Sequence, residues 1–261
     1  MSTAAEFWAI GEYDRVAELI LELGWVVVSA AGVRAGQRVL DVGAGTGNAT
    51  LPAAATGAEV TAIDVTPELL AVGERAARAR GLDVTWQVAD AQELPFPDDS
   101  FDVVLSTVGA MFAADHRATA RELLRVCRPG GTVAMANWTP AGAAGRFFQV
   151  LARYLPEPEP DAGPPPTAWG VSEHVAALFG EVELRTERRT VEIAFTSPPA
   201  ALSAYYLEHF APVIATRTGL DPDRAEQLDR DLLQFFTEED TGEPGGPSRY
   251  RYEYLLVLAR P

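Results

Sequence analysis

A glycine-rich turn between a predicted strand and a predicted helix is the most informative stretch of the sequence. Gly43, Gly45 and Gly47 follow an apolar run that ends at Val42. Because glycine lacks a Cβ atom, such a turn lets the backbone pass close beneath a ligand. The dinucleotide pattern G-x-G-x-x-G is the rival interpretation, but it requires Gly or Ala where this chain has Asn48.

Three acidic residues stand at or near the ends of three consecutive predicted strands. Asp41 precedes the glycine turn, Asp64 ends the second apolar run and Asp90 ends the third. Ligands of parallel sheets bind beyond the carboxyl ends of the strands. Asp41 is expected to point into this crevice, where it would repel a pyrophosphate and attract ammonium or sulfonium charge. Asp64 could accept hydrogen bonds from two ribose hydroxyls, and Asp90 could accept one from the exocyclic amine of adenine.

The composition excludes several other kinds of chemistry. The 261 residues include 37 acidic and 21 basic side chains, and the formal charge of −16 disfavours nucleic acid and membrane surfaces as partners. Every residue in the lysine-plus-arginine total is arginine, so the sequence excludes phosphate-loop nucleotidases and Schiff-base enzymes, both of which depend on a lysine. Cys127 is the single cysteine, so we expect neither a disulfide within the chain nor a metal site. No signal-like segment or long apolar span occurs, which predicts a cytoplasmic protein.

Alternating strands and helices are predicted to position the glycine turn and the acids. Helical segments separate five apolar runs, and this order implies a mainly parallel α/β sheet covered on both faces, since parallel strands need crossover connections. The runs cover residues 37–43, 58–65, 83–90, 100–108 and 132–138.

The segments around this core are assigned to one domain over residues 1–261. Residues 1–34 are predicted to form a helical lid, and residues 36–140 the ligand-binding core. The proline-rich stretch 156–166 is expected to be a surface loop. Two helices across 198–236 are predicted to form an insertion that covers the site. The remaining predicted elements are a helix at 172–180, strands at 181–189 and 190–196, and a last, antiparallel strand at 251–259.

Four ordered motifs resemble those of class I S-adenosylmethionine-dependent methyltransferases. They are VLDVGAGTGNAT, AIDVTPELL, VADAQELPFPDDSFDVVLST and ELLRVCRPGGTVAMANW. The chain is most similar to the ubiquinone/menaquinone-biosynthesis type, the type 11 branch. The resemblance implies a Rossmann-like, doubly wound, seven-stranded sheet with an antiparallel last strand. It also implies S-adenosyl-L-methionine as cofactor and S-adenosyl-L-homocysteine as product.

The resemblance further implies which residues contact the cofactor. Those at its methionine end would be Asp41, Gly43, Ala44 and Gly45. Those at its ribose and adenine would be Asp64, Val65, Asp90 and Ala91. Those near the sulfonium and its methyl group would be Ser106 and Thr107.

Aromatic residues suggest the nature of the methyl acceptor. The lid and the insertion are rich in aromatic side chains and carry no basic patch, which predicts an apolar or aromatic small molecule in a largely enclosed pocket. Nitrogen, oxygen and carbon remain open as the methylated atom, and no catalytic base is assigned. The candidate acceptor-binding residues are Tyr13, Trp138, Tyr206 and His209.

Two other functions remain open from the residues alone. One is a nucleotide-dependent oxidoreductase on a similar sheet, against which Asn48 and Asp41 count. The other is a non-catalytic relative that binds the cofactor, or only a protein partner. The lack of an obvious catalytic cluster does not argue against an enzyme, because positioning alone can be worth roughly 7 to 11 kcal/mol. A monomer or a homodimer is expected.

Overall fold

Seven strands form one sheet in the computed structural model, which describes residues 3–157, 163–243 and 246–261. The strands are β1 (Arg38–Val42), β2 (Glu59–Asp64), β3 (Val84–Val88), β4 (Phe101–Thr107), β5 (Cys127–Trp138), β6 (Glu183–Phe195) and β7 (Ser248–Arg260). Their order across the sheet is β3-β2-β1-β4-β5-β7-β6. Among these seven strands, β7 alone runs in the direction opposite to the other six. The sheet confirms the predicted Rossmann-like fold with its antiparallel last strand.

Eleven α-helices in the described ranges pack around the sheet. Helix α3 packs against β4 and β5, α5 against β2 and β3, and α6 against β5. The helices are α1 (Ala4–Trp8), α2 (Tyr13–Glu18), α3 (Leu21–Ala31), α4 (Thr50–Ala55), α5 (Pro67–Ala79), α6 (His116–Val126), α7 (Ala143–Ala152), α8 (Ser172–Phe179), α9 (Pro199–His209), α10 (Ala211–Thr218) and α11 (Pro222–Glu239).

Local sequence signals explain where several of these elements begin. Pro67 opens α5, where its missing N–H is no loss because the first turn of a helix has no partner for it. Asp115 caps α6, since its side chain accepts a hydrogen bond from the backbone N–H of Ala118. The central strands are almost continuously apolar and buried, as strands of a covered parallel sheet should be.

The register of the central strands brings the predicted site residues to one edge. Val42 at the end of β1 pairs with Ile63 of β2, and Asp64 pairs with Val88 at the end of β3. Asp41 pairs with Leu105 of β4, two residues before that strand ends. The glycine turn and the residues that follow β2, β3 and β4 therefore lie side by side.

The C-terminal third departs from the prediction in two places. The two strands predicted at 181–189 and 190–196 are one strand, β6, which pairs with β7 in unbroken register from Glu183 to Phe195. The two helices predicted across 198–236 are three, because extended backbone at Phe210 separates α9 from α10, and Asp221 begins α11 as its cap.

The N-terminal segment is helical, as predicted, and consists of three helices. Gly11 turns the chain between α1 and α2 with a φ of 75°. The remaining departures lie between β5 and β6. Helix α7 is absent from the sequence prediction. Residues 158–162 of the predicted proline-rich loop lie outside the described residues, and its last residue, Pro166, begins a short 3-10 helix.

Candidate active site

A cavity of about 220 Å³ lies at the carboxyl ends of β1, β2, β3 and β4. Its floor is the glycine turn, and helices α1 and α2 contribute Trp8 and Tyr13 to its wall. Eight of the ten residues predicted to contact the cofactor line it: Gly43, Ala44, Gly45, Asp64, Val65, Asp90, Ala91 and Thr107.

The glycines of the turn serve two different purposes. Gly43 and Gly45 both have a left-handed backbone, with φ of 66° and 54°. A Cβ atom on Gly43 would lie 2.8 Å from the backbone of Gly109, so this glycine allows two loops to touch. A Cβ atom on Gly45 would have its nearest neighbour 4.0 Å away, at the ring of Tyr13. Gly45 therefore leaves space that belongs to the cavity.

Asp64 is held by backbone donors at the cavity wall. Its carboxylate accepts hydrogen bonds from the N–H of Gly45 and the N–H of Thr66, both 2.9 Å long. Burial raises the pKa of this carboxyl group, and the two N–H donors act in the opposite direction. Since a carboxylate can accept about four hydrogen bonds, capacity remains for the two hydroxyls of a ribose.

Asp90 is part of a tight turn that brings Gln92 into the site. The Asp90 carboxylate accepts from the backbone N–H of Gln92 at 2.9 Å and from its side-chain amide at 3.0 Å. The side-chain oxygen of Gln92 accepts in turn from the N–H of Asp115. Gln92 lines the cavity, and the sequence interpretation did not assign it.

Asp41 does not lie on the cavity wall, contrary to the expectation that it points into the crevice. Its Oδ2 accepts a 2.6 Å hydrogen bond from the hydroxyl of Thr50 at the start of α4, and its Oδ1 is buried without a partner among the described residues. Burial raises the pKa of Asp41 to about 7. The side chain lies behind the cavity wall, where the start of α4 supplies its hydrogen-bond partner.

Ser106 also lies behind the wall rather than on it. Its hydroxyl donates to the carbonyl of Val42 at 2.7 Å and accepts from the N–H of Ala110 at 2.9 Å, so it ties the end of β4 to the end of β1. The next residue, Thr107, lines the cavity, and its buried hydroxyl has no partner within the described ranges. An unpaired buried hydroxyl is costly.

A second cavity of about 40 Å³ adjoins the first and is lined by apolar and aromatic side chains. It shares five wall residues with the first cavity: Trp8, Tyr13, Ile20, Val108 and Phe112. Its other wall residues are Val16, Trp138, Ala144, Phe147, Phe148, Tyr206, Phe210 and Tyr252. None of these thirteen residues carries a charge, and their polar groups are tyrosine hydroxyls and indole N–H groups.

Three of the four residues predicted to bind the acceptor, Tyr13, Trp138 and Tyr206, line this second cavity. His209 does not. Its Nδ1 lies 3.0 Å from the carboxylate of Glu12, and its carbonyl accepts from the N–H of Glu12. Both contacts join His209, the last residue of α9, to Glu12 in the turn between α1 and α2. His209 therefore holds this turn in place.

The sequence interpretation missed further wall residues of the second cavity. Phe147 and Phe148 lie on α7. Tyr252 lies on β7, and its ring packs edge to face against that of Trp138, with ring centroids 5.6 Å apart. The sequence feature that could have identified the α7 residues is the pair of adjacent phenylalanines in AAGRFFQVLA. Burial raises the pKa of Tyr206 to about 12, so this hydroxyl is a neutral hydrogen-bond donor at neutral pH.

The other two histidines form a pair away from both cavities. His116 Nδ1 and His174 Nε2 are 3.0 Å apart, and burial lowers the pKa of His116 to about 4. In the part of the chain that the structure describes, no three His, Cys, Asp or Glu side chains form a metal-binding group. Within that same part, no helix has the length and apolarity needed to cross a membrane.

Comparisons with known proteins agree with this geometry. A family model described as a methyltransferase domain matches residues 40–135. An uncharacterized protein of Mycobacterium tuberculosis is 42% identical over 263 residues, which cover 99% of this chain and 94% of that protein. The demethylmenaquinone methyltransferase of Thermus thermophilus is 41% identical over 134 residues, covering 49% of this chain and 61% of the relative.

A solved structure shares the fold. The YcgJ protein from Bacillus subtilis superposes with a TM-score of 0.60 and 21% sequence identity, covering 92% of this chain and 97% of that one. The matched family model includes the glycine turn, and the mycobacterial relative spans almost the whole chain. The chain therefore belongs to the class I S-adenosylmethionine-dependent methyltransferases and shares a family with the mycobacterial protein.

Proposed function

We propose that this methyltransferase methylates an apolar or aromatic small molecule that binds against the aromatic wall of the second cavity. At about 40 Å³ this cavity is smaller than one ring requires, so the lid helices must move outward to admit the acceptor. One observation carries the proposal: the cavity at the strand ends and the aromatic cavity share five wall residues. A ligand in one cavity would therefore lie next to a ligand in the other. When bound, S-adenosylmethionine supplies an electrophilic methyl group on a positively charged sulfur.

The residues of the first cavity fit this cofactor. Gly45 leaves open space above the turn, and Asp64 retains free acceptor capacity for a ribose. Thr107 lines the same cavity at the end of β4. We assign Gly43, Ala44, Gly45, Asp64, Val65, Asp90, Ala91 and Thr107 to cofactor binding.

The second cavity favours an uncharged acceptor. Burying a charge without a partner is strongly unfavourable, and the wall offers no charged side chain to pair with one. Tyr13, Tyr206 and Tyr252 can each donate a hydrogen bond to an acceptor oxygen or nitrogen. The Thermus relative is named for the methylation of demethylmenaquinone, which supports a small-molecule acceptor here.

The N-terminal helices act as a lid in this proposal. Trp8 and Tyr13 close one side of both cavities and pack edge to face, with ring centroids 5.5 Å apart. Such a lid would exclude water and hold the two ligands in line, and positioning of this kind can be worth roughly 7 to 11 kcal/mol. The side chains of the lid bind and orient the ligands, and no proton transfer is assigned to them.

An acceptor screen tests the proposal. The protein is incubated with S-adenosylmethionine and three groups of compounds: uncharged phenols, indoles and quinolines; small zwitterions such as glycine; and polyanions such as transfer RNA. Mass spectrometry then detects the addition of one methyl group. We expect methylation confined to the uncharged aromatic group, and loss of turnover in a Phe148→Asp variant. Preferred methylation of a zwitterion or of transfer RNA would overturn the assigned acceptor class.

A further inference from the structure

Val108 has a backbone conformation that its side chain disfavours. Its φ is 53°, in the left-handed region. Among the described residues other than glycine, only Asp99 also has a positive φ. A β-branched residue in this region is a true outlier that costs on the order of 1 to 3 kcal/mol. Glycine would remove this strain, so the valine side chain at this position calls for an explanation.

The chain around Val108 is held on both sides. The N–H of Val108 donates a 2.9 Å hydrogen bond to the carbonyl of Ala136 on β5. The next residue, Gly109, lies so close to the glycine turn that a Cβ atom on it would overlap the carbonyl oxygen of Gly43. The backbone at Val108 is therefore fixed between the sheet and the cofactor turn.

The side chain of Val108 lies where the two cavities meet. It is buried and forms part of the wall of both. Of the other four shared wall residues, Trp8, Tyr13 and Ile20 belong to the N-terminal segment, and Phe112 belongs to a 3-10 turn. Val108 directly follows β4, so it stays in place even if the lid moves.

We propose that Val108 determines acceptor specificity, as the fixed part of the wall between the cofactor cavity and the acceptor cavity. Its two methyl groups limit how much of an acceptor fits beside the point of methyl transfer, and so favour a single ring over a fused pair of rings. The strained backbone is retained because it aims these methyl groups at the junction. The inference rests on the proposed function, since it needs the second cavity to hold the acceptor.

The test compares two uncharged probes of different width, phenol and 1-naphthol. Their binding to the protein saturated with S-adenosylhomocysteine is measured by ligand-observed NMR in wild type, Val108→Ala and Val108→Gly. A Phe148→Ala variant, which changes only the second cavity, should weaken both probes and so locate them. Val104→Ala is the matched control, because Val104 is fully buried on β4 and lines neither cavity.

We expect the affinity for 1-naphthol relative to phenol to rise about tenfold in both Val108 variants and to stay constant in Val104→Ala. We also expect Val108→Gly to melt no lower than Val108→Ala, because glycine relieves the strain. An unchanged ratio in both Val108 variants, or an equal rise in Val104→Ala, would overturn the inference and leave the acceptor cavity standing. Binding of neither probe to any form would instead overturn the acceptor cavity itself, and the inference with it.

Discussion

The side-chain amide of Asn48 donates a 2.9 Å hydrogen bond to the backbone carbonyl of Ala17, which joins the glycine turn to helix α2. Helix α3 also packs directly against the glycine turn, because a Cβ atom on Gly24 would overlap the backbone carbonyl oxygen of Asn48. Asn48 is the residue that breaks the dinucleotide pattern in the sequence. In the structure it couples the cofactor turn to the segment that carries Trp8 and Tyr13.

Substitution of this asparagine should loosen the N-terminal segment. Asn48→Ala removes a neutral hydrogen bond worth about 0.5 to 1.5 kcal/mol, so affinity for S-adenosylhomocysteine should fall about twofold to tenfold. Hydrogen exchange of residues 13–18 should accelerate, while that of β4 and β5 stays unchanged. Unaltered exchange across 13–18 would show that the contact does not hold the segment in place.

Replacement of Asp64 should impair cofactor binding far more than folding. Asp64→Ala removes two charge-assisted hydrogen bonds to the ribose, each worth about 1.5 to 3 kcal/mol, and affinity for S-adenosylhomocysteine should fall roughly hundreds- to tens-of-thousands-fold. The loss of the Gly45 contact adds to this effect. Glu59→Ala, which removes an exposed acid from the same strand, is the control and should bind normally. Equal dissociation constants for the two variants would refute the assignment.

Valine substitutions at Gly45 and Gly81 distinguish the loss of space for a ligand from the strain that any side chain causes at a left-handed backbone. Both have left-handed backbones, with φ of 54° and 68°, but a Cβ atom on Gly81 meets nothing within 4 Å and Gly81 lies outside the cavity. Valine at either position should cost about 1 to 3 kcal/mol of stability. Only Gly45→Val should abolish binding of S-adenosylhomocysteine in calorimetry. Normal binding by Gly45→Val would mean that the turn is not the cofactor cradle.

The core of the fold was predictable because the signals there are local. Apolar runs, Pro67 and Asp115 mark strands and helix starts through the residues themselves. The direction of the Asp41 side chain was not predictable, since it depends on how α4 packs against the sheet and places Thr50 beside the carboxylate. The role of His209 depends on its contact with Glu12, nearly two hundred residues earlier in the chain.

The second cavity shows the same distinction between local and long-range information. Its wall combines α1, α2, α7, α9 and β7, which meet only in the folded chain. Aromatic content alone identified Tyr13, Trp138 and Tyr206. Tyr252 was missed because alternation along a strand indicates two faces without saying which of them borders a cavity.

Stability should depend on pH through Asp41. Burial raises the pKa of this group to about 7 in the folded state, whereas an unfolded aspartate titrates near 3.9. The unfolded chain therefore releases this proton first, and the folded state loses stability as pH rises from about 4 to 7, by at most about 1.4 kcal/mol per pH unit. In Asp41→Asn this contribution is absent. In the absence of ligand, the melting temperature of the variant minus that of wild type should therefore increase from pH 4 to pH 7. A difference that stays constant over this range would contradict a buried Asp41 with a raised pKa.

The most direct test of the central claim is calorimetric titration of the protein with S-adenosylhomocysteine and, in parallel, with NAD. Asp64 and the glycine turn predict one site per chain for S-adenosylhomocysteine, and Asn48 in place of the third glycine of the dinucleotide pattern predicts no binding of NAD. Binding of NAD without binding of S-adenosylhomocysteine would contradict the assignment of the first cavity to the methyl donor.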